Sequence, residues 1–119
     1  MRGPAPATLL RHRQGAEVHL DLVLGLGAAC PTLGLDRRDG RWIAVWKSPH
    51  RRRYLAYSGP LGAGRGTVAV VWRGVAAWWR TGGGWELRLG GLGRLRLRGL
   101  SGGSLVASRL PATIAHHGR

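Results

Sequence analysis

Two groups of residues in this chain have the types and the spacing to do chemistry. His19-Leu20-Asp21 sets an imidazole and a carboxylate two positions apart. On an extended strand such residues project from one face, roughly 6–7 Å apart along the chain, so both side chains reach one cation. A His/Asp pair suits manganese, iron or zinc, whereas magnesium favours a shell richer in oxygen. The second group is His50-Arg51-Arg52-Arg53-Tyr54, in which three guanidinium groups lie between an imidazole and a phenol. Basic charge surrounds whatever His50 and Tyr54 touch, which points to a phosphate.

Strands are the elements best able to present these groups. Short alternating apolar and polar runs are separated by glycine, which contributes 21 of the 119 residues, and no segment carries a sustained apolar repeat at helical period. The expected fold is all-β, a single small barrel of about eight short, mostly antiparallel strands. Strands are expected near Thr8–Arg11, Glu17–Leu24, Cys30–Leu35, Arg53–Tyr57, Thr67–Trp72, Val75–Arg80, Trp85–Leu89, Arg94–Arg98 and Ser104–Ser108. In Arg41–Lys47, Trp42, Ala44 and Trp46 alternate as a strand would. The length allows one domain over residues 8–109, with loose ends at residues 1–7, which contain Pro4 and Pro6, and at 110–119.

Beyond Tyr54 the chain continues Ser58-Gly59, a glycine-rich stretch Gly62 to Gly66, and a valine-rich run Thr67 to Trp72. Taken in order with His12, His19-Leu20-Asp21-Leu22, His50 and Tyr54, residues 9–108 resemble the 3′-phosphoesterase domain of bacterial DNA ligase D, above all its small stand-alone versions. The resemblance implies that His12, His19 and Asp21 bind manganese and that His50 and Tyr54 contact the scissile phosphate. It implies removal of a terminal phosphate or ribonucleoside from a DNA 3′ end during strand-break repair, with a separate DNA ligase or polymerase as partner. Arg51, Arg53 and Arg65 are then the candidates for the DNA backbone. It also places a connecting segment at Arg41–Lys47.

Four positions depart from the family pattern. His12 precedes His19 by one residue more than usual, so a bulge or shifted loop is expected to bring it to the metal. Val23 stands where the ligase-linked enzymes carry an arginine, Ser58 where an acidic residue is common, and Leu10 where a polar one is. These losses motivate a second reading, a catalytically weak or inactive nucleic-acid-binding module of the same fold. A third, a small arginine-rich RNA-binding protein, rests on composition alone and expects no metal dependence.

The net charge of +14 fits a polyanion partner, because neutralised phosphates release counterions. Lys47 is the sole lysine, so arginine bias by itself accounts for part of that charge. In Arg94-Leu95-Arg96-Leu97-Arg98 the arginines share one strand face and the leucines the other, giving a strand half core and half basic stripe. Trp78-Trp79 puts one ring on each face of its strand, and an exposed ring beside arginines can stack on an unpaired base. Gly62–Gly66 lacks the Lys-Ser/Thr of a nucleotide-binding loop and is expected to be a tight β connection. Ser48, His50 and Asp36 or Asp39 form no nucleophile-elbow pattern. One cysteine, Cys30, excludes an internal disulfide, and neither a signal peptide nor an apolar run of membrane-spanning length is present, so a cytoplasmic bacterial or archaeal protein is expected. His116 and His117, in the tail, read as solvated surface.

Overall fold

The computed structural model describes residues 2–39, 41–98 and 104–110. Among these described residues nine strands run in chain order: β1 Arg2–Gln14, β2 Glu17–Leu24, β3 Ala29–Arg38, β4 Arg41–Arg51, β5 Gly59–Pro60, β6 Thr67–Thr81, β7 Gly84–Leu89, β8 Gly93–Arg98 and β9 Ser104–Ser108. All pairings are antiparallel. The sheet order β1-β2-β3-β4-β9-β8-β7-β6 returns to β1 through a β6–β1 ladder, so eight strands close a ring and β5 pairs on β6 alone. Closure leaves few bare edges for another chain to pair with.

Alternation sorts the side chains onto two faces. Leu20, Leu22 and Leu24 of β2 point inward with Ala7, Leu9, Leu33, Leu35, Trp42, Ala44, Leu87, Leu89, Leu95 and Leu97, all buried in the main core. His19, Asp21 and Val23 take the opposite face. There a second, smaller core forms from Leu10, Val23, Cys30 and Leu55, with Tyr54 and Val70 packed against it.

Several sequence expectations change. Residues 53–57 form no strand, because a one-turn 3₁₀ helix, Arg52–Leu55, plugs Leu55 into the second core and leaves the arginines in solvent. One buried residue in an otherwise basic run needs a single turn, not an alternating strand. The two strands expected at Thr67–Trp72 and Val75–Arg80 are one continuous β6, because Gly74 is no turn. A Cβ at Gly74 would lie 2.6 Å from Trp72 Cζ2, so the glycine makes room for the indole to lie along its own strand. Arg41–Lys47 is a strand within β4, as its alternation indicated and as the resemblance did not. Residues 2–7, read as a loose end, are the first half of β1, and a register shift between Arg2 and Ala5 accommodates Pro4 in the ladder to β6. His116 and His117 lie outside the described residues.

Candidate metal and phosphate site

The β1–β2 hairpin turns at Gly15-Ala16, with Gly15 at φ 59°, and its register runs without a break from Ala7↔Leu24 to Gln14↔Glu17. That register puts His12 directly opposite His19. The expected bulge in this hairpin is therefore absent, and the extra residue between the histidines is what a two-residue turn requires.

His12 Nδ1 and His19 Nε2 are 3.0 Å apart, and His19 Nε2 is 4.0 Å from Asp21 Oδ2. Ligand atoms of the three residues all lie within 4.8 Å of one another. Donors bound at about 2.1 Å to a common ion stand roughly 3–3.4 Å apart, so the set closes on a cation with shifts of an ångström or so. The group of His12, His19 and Asp21 can hold a metal ion.

The tautomers follow from a loop. His12 Nε2 is 2.7 Å from the Arg65 carbonyl, which can only accept, so Nε2 carries the proton and Nδ1 keeps the lone pair that a metal uses. In this arrangement His19 Nε2–H donates to His12 Nδ1. The loop is held in place by Gly66, whose φ is 86° and where a Cβ would sit 2.0 Å from the Arg13 carbonyl oxygen, and by Gln14 Nε2 donating to the Gly64 carbonyl at 3.1 Å. Gly62–Gly66 is thus a tight β connection that fixes the His12 ring. Arg65 contributes its carbonyl, while its guanidinium folds back on the Leu61 carbonyl at 2.6 Å.

Asp21 is the hub. It is buried, yet Lys47 Nζ lies 2.8 Å from Oδ1 and His50 Nε2 lies 3.7 Å from Oδ2. Burial works to raise its pKa, but the bonds to His50 and Lys47 and the charge of Lys47 outweigh it and hold the carboxyl below its ordinary value. His19 is lowered, first by burial and then by Lys47, which favours the neutral imidazole; its Nε2 would take a cation only with the proton moved to Nδ1. His50 is raised, first by the Asp21 carboxylate, with the Ser48 carbonyl adding to it at 3.2 Å from Nδ1. One carboxylate oxygen, Oδ2, therefore neighbours both a histidine that favours its neutral form and one that favours the imidazolium, while Oδ1 faces Lys47.

These residues line one cleft of about 590 Å³, walled by Tyr54, Arg51, Arg53, Leu61 and Val68. The residues that the sequence points to, His12, His19, Asp21, His50, Tyr54, Arg51, Arg53 and Arg65, all border it. Tyr54 packs edge-on to His50 at 5.6 Å between ring centroids. The Arg53 guanidinium lies over Tyr54 and Tyr57, 5.0 and 5.1 Å from their centroids, and Arg52 turns away to the Gly27 carbonyl at 3.3 Å. Val23 is fully buried in the second core with Leu10, Cys30 and Leu55, so a packed apolar side chain stands where the resemblance leads one to expect an arginine. Ser58 accepts from the Val70 amide at 2.9 Å, a structural bond at the start of β6. No protein-family model matches this chain, and no curated protein matches it.

Lys47 is the site residue that sequence reasoning passed over. Its signal was there: a single lysine in an arginine-rich chain, three residues before His50. Gly34 makes its reach feasible, since a Cβ there would sit 2.5 Å from Lys47 Cε. Its ammonium competes with a cation for Asp21. Lys47→Met is therefore expected to tighten manganese binding about tenfold and to weaken inorganic phosphate binding, both read by calorimetry. Unchanged affinity for both ions would mean that Lys47 turns to solvent and has no part in the site.

Proposed function

We propose that this protein is a metal-dependent phosphoesterase acting on DNA 3′ ends, with manganese as the cation and strand-break repair in the cytoplasm of a bacterium or archaeon as the setting. The observation that carries this reading is the convergence, in one basic cleft, of His12, His19 and Asp21 with His50, Tyr54 and Lys47. The donor set, two nitrogens and a carboxylate, fits manganese, which when bound supplies Lewis acidity toward a phosphoryl oxygen and acidifies a water ligand. His50, whose protonated form the Asp21 carboxylate favours, donates to a phosphate oxygen or to the departing group. The Tyr54 hydroxyl donates to a non-bridging oxygen, and Lys47 swings from Asp21 to the phosphate once a cation takes over that carboxylate. Arg51 and Arg53 at the cleft rim hold the flanking backbone.

The test is a labelled primer-template bearing a 3′-phosphate or a single 3′-ribonucleotide, incubated with manganese. Shortened or dephosphorylated product that disappears with chelator is expected. Binding without any product would favour the second reading, a non-catalytic module of the same fold, to which the buried Val23 in place of arginine lends support.

Replacing Arg51, Arg52 and Arg53 together with Ala should weaken DNA binding of any sequence and flatten its salt dependence by about one unit for each phosphate that the variant leaves unneutralised. Because Arg52 faces Gly27 and not the cleft, most of that change is expected from Arg51 and Arg53. An unchanged slope would make the cluster a solvated face.

A further inference from the structure

A second cleft lies at the other end of β6 from the Asp21 site. Val68 borders the first cleft and Trp78 the second, ten residues further on, roughly 33 Å along the strand. The second cleft, about 390 Å³, is lined by Trp78, Trp79, Trp85, Arg2 and Arg80. None of these residues has a part in the proposed phosphoesterase chemistry.

We propose that this cleft binds an unpaired segment of single-stranded DNA, its indoles stacking on bases and its arginines taking the phosphates. Trp78 and Trp85 are partly buried against the main core, and Trp78 lies on Gly3, where a Cβ would be 3.2 Å from the indole. The floor of the cleft is therefore preorganised, and stacking on it orders little that is not already ordered. Arg80 lies over Trp85 at 5.3 Å and Arg88 over Trp79 at 4.6 Å from the ring centroids. A guanidinium stacked on an indole keeps its in-plane N–H groups directed outward, the geometry that binds a phosphate beside a stacked base.

Charge complementarity extends the surface. On the adjoining outer face of β7 and β8, Arg88, Arg96 and Arg98 are exposed. The acidic residue among them is Glu86, 3.5 Å from Arg88 and 3.7 Å from Arg96, so the face remains strongly positive. Indole faces beside a basic track are the two components of sequence-tolerant single-strand binding. A bare basic face would bind duplex equally well, and an acidic protein would have no use for stacked rings.

The choice of DNA rests on the proposed phosphoesterase reading, while the stacking site stands on its own geometry. Binding is therefore measured without metal, by fluorescence anisotropy of a labelled oligothymidylate and of a duplex of equal length, in chelator. Trp79→Ala and, separately, Arg80→Gln are expected to weaken single-strand binding about tenfold while changing duplex binding less than threefold. Because chelator keeps any cation from Asp21 during the measurement, a failure here is separate from a failure at the metal site. Irradiating wild-type protein with a 5-bromouracil oligonucleotide should crosslink the tryptic peptides Gly74–Arg80 or Thr81–Arg88, a readout that needs no variant to fold. Equal losses for duplex and single strand, competition by polyglutamate as effective as by oligonucleotide, or crosslinks confined to other peptides would overturn the proposal.

Discussion

Asp21→Asn is expected to abolish manganese-dependent hydrolysis and to lower manganese affinity by at least two orders of magnitude, with the far-ultraviolet spectrum unchanged. The substitution keeps the shape of a buried side chain and removes only its charge. In the proposed site that charge is needed three times: as a ligand to the cation, as the partner of Lys47 at 2.8 Å, and as the group that raises His50. His19→Ala should match it in activity and metal binding, because it deletes a metal ligand from a cleft wall and nothing from the main core. Hydrolysis near wild type at saturating manganese in either variant would remove the metal assignment. Because the folded-state pKa of Asp21 is depressed, the stability it contributes is present above the ordinary carboxylate pKa and is lost as pH falls through the depressed value. The Asn variant should lack that part of the acid sensitivity.

His50→Ala is expected to lower turnover by roughly two orders of magnitude while manganese affinity, measured by calorimetry, changes little. The imidazole stands 3.7 Å from Asp21 Oδ2, the oxygen that also neighbours His19, and edge-on to Tyr54. Its raised pKa fixes the sign of the pH dependence. The imidazolium is fully present below the ordinary histidine value and is lost as pH rises through the raised one, so wild-type turnover should fall on the alkaline side. In His50→Ala that limb should vanish from the profile. Tyr54→Phe should cost less, since one hydroxyl is removed and the ring packing against His50 is kept. If His50→Ala instead destroyed manganese binding, His50 would be a ligand in place of His12, and the enzyme reading would survive with a redrawn site.

Much of the barrel was legible because alternation reports burial directly. β2 matches its expected bounds, Glu17–Leu24, since every second residue enters the core. β8, Gly93–Arg98, starts one residue before its expected Arg94 and keeps the expected alternation, with Leu95 and Leu97 inside and Arg96 and Arg98 outside. Reading failed where glycine or proline does something other than end an element. Gly74 accommodates a tryptophan and Pro4 sits at a register shift, so β6 and β1 are longer than punctuation implied. The 3₁₀ turn was hidden because its single buried residue, Leu55, carries no period.

At the site, residue types were legible and their second partners were not. His12 opposite His19 follows from the Gly15 turn, which a count across the hairpin recovers. By contrast, the Arg65 carbonyl that sets the His12 tautomer is a backbone atom 53 residues away, and no side-chain pattern announces it. Lys47 reaches Asp21 across β3 only because Gly34 leaves the path open, an arrangement of three strands that linear spacing does not encode.

Everything proposed for the chemistry requires cation and phosphate to share one site, and anomalous diffraction from a crystal soaked in manganese and inorganic phosphate shows whether they do. One anomalous peak is expected among His12, His19 and Asp21, with a phosphate oxygen bound to it and the remaining oxygens within hydrogen-bonding reach of His50, Tyr54 and Lys47. A peak elsewhere, no peak, or phosphate seated away from the metal would contradict the shared site and the phosphoesterase reading with it.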